Sequence, residues 1–264
     1  MIIAVSQHKG GTGKTTTVLN LGAALAERGC RVLLVDLDPQ ADLSAGLGVQ
    51  VDVEERPSAP SLYTVLSSEQ GSLSEIIVPT SYKKLSLVPG TLDMADLELH
   101  LAPQLGRERV LDAALDELSE SYDVILLDCP PSLGLITVNA LVAADWLLVP
   151  VQAEPRSIRA TRRMLAAVGL VQRKLKQPGL KVLGLLVTMT GSNNIAREAE
   201  ELLRDTYKEW VLKSTIRRRV RITEDTLYHA PVFSYAPKSE TASDFRALAA
   251  EVLARIYQKE TAHA

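Results

Sequence analysis

The stretch from His8 to Thr16, H-K-G-G-T-G-K-T-T, constrains this chain more than any other. It follows the apolar run Ile2, Ile3, Ala4, Val5 and opens a helical pattern, roughly Lys14 to Glu27, with Val18, Leu21 and Leu25 on one core-facing spacing. An apolar strand, a glycine-rich turn and a helix in that order make a phosphate-binding loop. Gly10, Gly11 and Gly13 omit the Cβ atoms that would hold backbone N–H groups away from phosphate oxygens. The helix then turns its positive N-terminal end toward the same anion. Lys14 would reach the β- and γ-phosphates, and the Thr15 hydroxyl would ligate Mg²⁺.

Two further stretches bring carboxylates to the same kind of edge. Arg31 to Asp36, R-V-L-L-V-D, reads as a short strand apolar on both faces, as in a parallel sheet covered by helices, and it ends in D-L-D-P-Q with Asp36 and Asp38. Val124 to Leu127 reads as a second buried strand, with Asp128 at its C-terminal end, where a carboxylate contacts Mg²⁺, usually through water. Ligands of open α/β sheets gather at that edge. Further strands are expected at Leu85 to Val88, Trp146 to Val151 and Lys181 to Thr188. Helices are expected from a Ser61 cap onward, as an acidic pair within Leu92 to Leu118 whose carboxylates read as a solvated face, and at Ile136 to Val142, Ile195 to Tyr207 and Ala242 to Tyr257. The segment from Leu47 to Pro60 reads as an exposed loop. Strands alternating with helices imply an α/β fold with a doubly wound, mostly parallel sheet and helices on both faces. The 264 residues, 46% hydrophobic, are read as a single domain, 1–264.

The net charge of −3 conceals a segregation. Residues 1–155 carry 9 Lys+Arg against 21 Asp+Glu, whereas residues 156–221 carry 16 against 5. An excess of that kind inside an acidic protein is the electrostatic footprint of a polyanion partner. The basic segment holds Arg156, Arg159, Arg162 and Arg163 on one side of a helix, and the run K-S-T-I-R-R-R-V-R from Lys213 to Arg221. Cys30 and Cys129, far apart and beside strands, read as buried thiols of a reducing compartment. With no run of 18 apolar residues and no basic leader, the chain is expected to be cytoplasmic.

The loop departs from the ordinary pattern G-x-x-x-x-G-K-[ST], because His8 stands where the first glycine belongs. K-G-G-T-G-K-T-T, from Lys9 to Thr16, instead resembles the deviant Walker A motif of the ParA/MinD family, whose second, signature lysine precedes the glycines. The resemblance implies that Lys9 crosses a dimer interface to the nucleotide of the partner subunit, and that Lys9, Gly10, Gly11, Thr12, Gly13, Lys14, Thr15 and Thr16 hold ATP. D-L-D-P-Q resembles the family's switch I, which gives Asp38 the task of positioning the attacking water near the Mg²⁺ shell. D-C-P-P-S-L-G, from Asp128, is similar to its switch II, a stiff segment able to swing when the γ-phosphate leaves; loop, switch I and the Walker B aspartate together give Thr15, Asp38 and Asp128 the metal. Lys9, Lys14 and Asp38 would then carry the hydrolysis.

The resemblance runs from Ile2 to Ile256, within a P-loop NTPase fold, and is nearest the ParA/Soj branch. There basic residues of the C-terminal region bind double-stranded DNA without sequence preference. Alignment carries that role to Arg218, and proximity and charge extend it to Arg217, Arg219 and Arg221. Arg217 replaces a proline common in relatives, so the family's adenine contacts are not carried over. The branch implies an ATP-dependent homodimer, a ParB-like partner protein and association with the nucleoid. The tail Q-K-E-T-A-H-A lacks the basic, bulky amphipathic pattern of a MinD-type membrane anchor, so stable membrane association is not expected. A MinD-like membrane-cycling ATPase, a ParA-like positioner of another cargo and a P-loop metabolic ligase remain open as alternatives.

Overall fold

The computed structural model describes residues 1–49, 60–68, 71–154, 157–191, 194–219 and 225–261. Among these residues eight strands form one sheet: β1 (Ile2–Val5), β2 (Val32–Asp36), β3 (Val78–Pro79), β4 (Leu85–Val88), β5 (Val124–Asp128), β6 (Trp146–Gln152), β7 (Lys181–Thr190) and β8 (Val211–Arg217). Their order is β3-β4-β2-β5-β1-β6-β7-β8, parallel throughout except for the two-residue β3, which pairs antiparallel with β4. Within β1, β2 and β5 successive side chains enter opposite cores. Ala4, Leu33, Val35, Ile125 and Leu127 join one, and Ile3, Val5, Leu34, Val124 and Leu126 the other. A strand buried on both faces reads as a continuous apolar run, which is why these segments were recognisable.

The helix Lys14–Glu27 and the C-terminal helix Glu240–Thr261 cover one face. Val18, Leu21 and Leu25 of the former are fully buried beside Phe245 and Leu248 of the latter, and Arg246 fastens the two by an ion pair to Glu27 at 2.6 Å. The helices Met94–Leu101, Val110–Asp116, Leu135–Ala143 and Ser157–Lys174 contribute to the other face. The Ser61 cap is present and reciprocal: the Ser61 amide donates to Thr64 Oγ1 at 2.8 Å and the Thr64 amide to Ser61 Oγ at 3.3 Å.

Four expectations need adjustment. The basic run from Lys213 lies partly within an edge strand, β8, which sequence periodicity did not announce. Its backbone is satisfied from the C-terminal helix, since Glu251 accepts the Lys213 and Ser214 amides at 2.8 and 2.7 Å and Arg255 donates to Val211 O. A strand held by ionic side chains need not show alternating apolar residues. The acidic helices are not simply a solvated face: Glu98 accepts the Ile136 amide at 3.3 Å, capping the helix Leu135–Ala143, and Glu117 accepts from Ser72 and Ser74. Cys129 is buried as expected, but Cys30 is only half-buried, and both are free thiols. The C-terminal helix starts at Glu240, two residues early, where Ser239 Oγ accepts the Ala242 amide. Most of the segment expected as a loop, residues 50–59, lies outside the described residues.

Candidate nucleotide and magnesium site

Strand register assembles the site. Val5 pairs with Asp128, and Asp128 with Asp36, so the chain exits from β1, β5 and β2 at one level of the sheet. From β1 the backbone turns through Gly11 at φ 70° and Gly13 at φ 85°, left-handed values that only glycine adopts without strain. Thr188 of β7 donates its hydroxyl to Thr12 O at 2.8 Å and fixes the loop from the side. The Thr17 hydroxyl, 2.6 Å from Gly13 O, secures the first helical turn. Lys14 is buried at 7% exposure, Thr15 and Thr16 are half-buried, and Gly10 is exposed, with Pro131 of the D-C-P-P-S segment alongside. A nest of backbone amides, a helix N-terminus and a lysine at one point bind a polyphosphate.

Two carboxylates lie beneath the loop with different tasks. Asp36 is wholly buried and fully engaged: Oδ2 accepts the Ser44 amide at 2.9 Å and its hydroxyl at 2.6 Å, and Oδ1 accepts the Asp38 amide at 3.3 Å. The Ser44 hydroxyl in turn accepts the Gly90 amide at 2.9 Å, and a Cβ on Gly90 would stand 2.8 Å from Asp36 Cγ. Burial pushes the Asp36 carboxyl up to about 6, against the pull of Ser44. Asp36 is thus an internal brace, neither solvated nor aimed at a ligand.

Asp128 is equally buried, but among the described residues neither of its oxygens has a hydrogen-bond partner. Burial first, then the charge of Asp36, raises its proton affinity well above that of an ordinary carboxylate. The Thr15 hydroxyl and the Lys14 ammonium act the other way from close by. A buried carboxylate without partners is costly unless a cation completes it. An orphaned Asp128 beside the Thr15 hydroxyl therefore fits Mg²⁺, which keeps several waters and takes few protein ligands. Cys129, next in the chain, is pushed up to about 12 by burial and by Asp128, which leaves it an inert thiol.

Asp38 sits at the rim, half-buried, its Oδ1 accepting the Gln40 amide at 3.1 Å in a turn closed by the Ala41 amide on Asp38 O. Lys9 occupies the opposite rim. Its ammonium donates to Glu154 Oε2 at 2.6 Å and Gln152 Oε1 at 3.0 Å, both at the end of β6, with the two charged side chains 30% and 44% exposed. The sequence singled out Lys9, Gly10–Thr16, Asp38 and Asp128, and all converge here. It did not find Ser44, Gly90, Gln152 or Thr188, whose contacts join segments far apart in the chain.

The basic candidates lie elsewhere. Arg217 reaches Glu240 at 3.9 Å and Asp244 at 3.5 Å, and Arg219 also pairs with Glu240. Arg218 is exposed, forms no ion pair among the described residues, and donates its amide to Thr190 O. Arg221 and Arg156 fall outside the described residues, whereas Arg159, Arg162 and Arg163 are exposed along the helix Ser157–Lys174. No helix among the described residues is long and apolar enough to cross a membrane.

A family profile described as "AAA domain" matches residues 1–182. The sporulation initiation inhibitor protein Soj of Bacillus subtilis is 40% identical over 255 residues, 96% of this chain and 98% of that one. The chromosome-partitioning ATPase Soj of Thermus thermophilus is 40% identical over 259 residues, 97% and 96% of the two chains. Among solved structures, one of Mycobacterium smegmatis described as cobyrinic acid a,c-diamide synthase, with bound ADP and magnesium, superposes with a TM-score of 0.81 at 37% identity, covering 96% of this chain and 93% of that one. The cell division ATPase MinD of Pyrococcus furiosus gives 0.74 at 31%, covering 95% and 97%. The loop fits ATP and the orphaned carboxylate fits Mg²⁺, and with near-complete coverage at 40% identity the chain belongs to the ParA/Soj family of chromosome-partitioning ATPases.

Proposed function

We propose that ATP closes two copies of this single-domain chain face to face, each lending Lys9 to its neighbour's nucleotide, and that the dimer holds double-stranded DNA until hydrolysis releases it. The observation that supports this reading most is the position of Lys9, at the rim of the loop and held by a partly exposed ion pair to Glu154 and a hydrogen bond to Gln152. Bound ATP with Mg²⁺ would supply the phosphoryl group and the charge neutralisation of its transfer to water. Lys14 and the amides of Gly11 to Thr15 would bind and orient the phosphates. Thr15 and Asp128 would hold the cation, and Asp38 would orient the attacking water at the rim. Arg217, Arg218, Arg219 and Arg221 would supply phosphate contacts, Arg218 most directly because it is already exposed. A ParB-like protein would stimulate turnover, and the chain would reside in the cytoplasm on the nucleoid.

Light scattering with a non-hydrolysable ATP analogue tests the assembly. The unmodified chain is expected to dimerise, while Lys9→Ala binds nucleotide and stays monomeric. A Lys9→Ala chain that dimerises normally would remove the intersubunit role. The description of the M. smegmatis neighbour favours a second reading, ATP-dependent amide formation on a small acid. ATP turnover that requires such an acid and an ammonia source, and ignores DNA, would select it.

A further inference from the structure

At the start of β7, next to the start of β6, the sheet edge opposite the nucleotide loop carries a groove of about 640 Å³. β6 runs from Trp146 to Gln152, which touches Lys9, and β7 runs from Lys181 past Thr188, which touches Thr12. The groove therefore sits behind the catalytic edge rather than within it. Its lining is mostly apolar, with Leu165, Val182 and the largely buried Val168 and Leu180, beside the polar Gln172, and Trp210 at its side is 43% exposed.

Cations rim this apolar trough. The ammonium groups of Lys181 and Lys259 each lie 5.5 Å from the centroid of the Trp146 ring. Lys259 also donates to Val182 O at 2.6 Å, which holds it at the rim. Burial together with the charges of Arg255 and Lys181 disfavours its protonation, so positive charge is crowded here. Among the described residues neither lysine forms an ion pair.

Gly169 supplies a second, independent observation. It lies within the helix Ser157–Lys174 and lines the groove, where glycine costs about 1 kcal/mol relative to alanine. The nearest atoms that a Cβ there would meet belong to the flexible Arg173 side chain rather than to backbone, its Nη1 at 3.1 Å. What glycine preserves is the open depth of the trough.

We propose that this groove binds a short acidic amphipathic segment of a partner protein, its apolar side chains on the floor and its carboxylates on Lys181 and Lys259. A DNA duplex fits less well, because its convex charged backbone offers nothing apolar to the floor. The match is a helix-in-groove contact with charge complementarity at its rim.

The test selects random peptides of about 12 residues, displayed on phage, against the full chain with Mg-ATP. Expected are binders rich in Asp and Glu with Leu, Ile or Phe at helical spacing. Gly169→Leu, which fills the trough, and the pair Lys181→Gln with Lys259→Gln, which keeps hydrogen-bond donors but removes both charges, should each weaken those binders about tenfold or more. ATP binding by both variants should stay unchanged. Binders without acidic bias, affinities indifferent to either variant, or a duplex DNA affinity that falls with the lysine pair while no peptide binds would each overturn the proposal.

Discussion

The brace beneath the site can be tested at one atom. In Ser44→Ala the residue-44 amide still donates to Asp36, but the hydroxyl that donates at 2.6 Å to Asp36 and accepts at 2.9 Å from Gly90 is gone. A hydrogen bond to a charged group contributes about 1.5–3 kcal/mol, and an orphaned buried N–H costs about 1–3 kcal/mol. Ser44 and Gly90 are buried, so water does not replace either contact. A loss of about 3–5 kcal/mol is expected in urea unfolding followed through tryptophan fluorescence. The loss should also depend on pH. Asp36 is pushed up to about 6 by burial, and Ser44 acts to hold it down, so the variant suffers most at pH 7.5, where the carboxylate must be charged, and less at pH 5. A loss below about 1 kcal/mol, equal at both pH values, would refute the brace.

Other substitutions separate the remaining parts. Lys14→Ala should abolish ATP binding in calorimetry, and Asp38→Ala should bind ATP yet release no phosphate; normal phosphate release would remove Asp38 from the reaction. Asp128→Asn should raise the melting temperature of the nucleotide-free chain, by relieving an unpaired buried charge, while losing the response to Mg²⁺. Asp36 and Asp128 both carry raised proton affinities, so the folded chain keeps protons that the unfolded chain releases above about 3.9; the stability contributed by Asp36 should rise as pH falls through about 6, and Asp128 acts with the same sign. Asp123, held down to about 2 by Arg31, acts with the opposite sign and loses its contribution only as pH falls from about 4 through 2. Replacing Arg217, Arg218, Arg219 and Arg221 together should flatten the salt dependence of DNA binding, each lost phosphate contact reducing the slope by about 0.9. An unaltered slope would place the DNA surface elsewhere.

The difference between what the chain announced and what it withheld is physical. His8 to Thr16, Asp38 and Asp128 were legible because each belongs to a local sequence of strand, turn and ligand-bearing side chain. The parallel sheet was legible because β1, β2 and β5 are buried on both faces and show it as unbroken apolar runs. Asp36 looked like a twin of Asp38, and only the return of Ser44 and Gly90 distinguishes them. β8 looked like a basic surface run because its order comes from Glu251 and Arg255, on a helix some forty residues later. Glu98 looked solvated until the helix at Ile136 was brought against it.

The bond between Lys9 and Glu154 has value through its weakness. A half-exposed pair of this kind is worth about 0.2–1 kcal/mol, comparable to thermal energy. Its rest position on Glu154 and Gln152 keeps the ammonium desolvated in part, yet a denser negative charge arriving nearby can take it away without unfolding a turn. A fully buried partner would have trapped the cation, and bulk solvent would have left it to wander. A parked, transferable charge lies between those extremes.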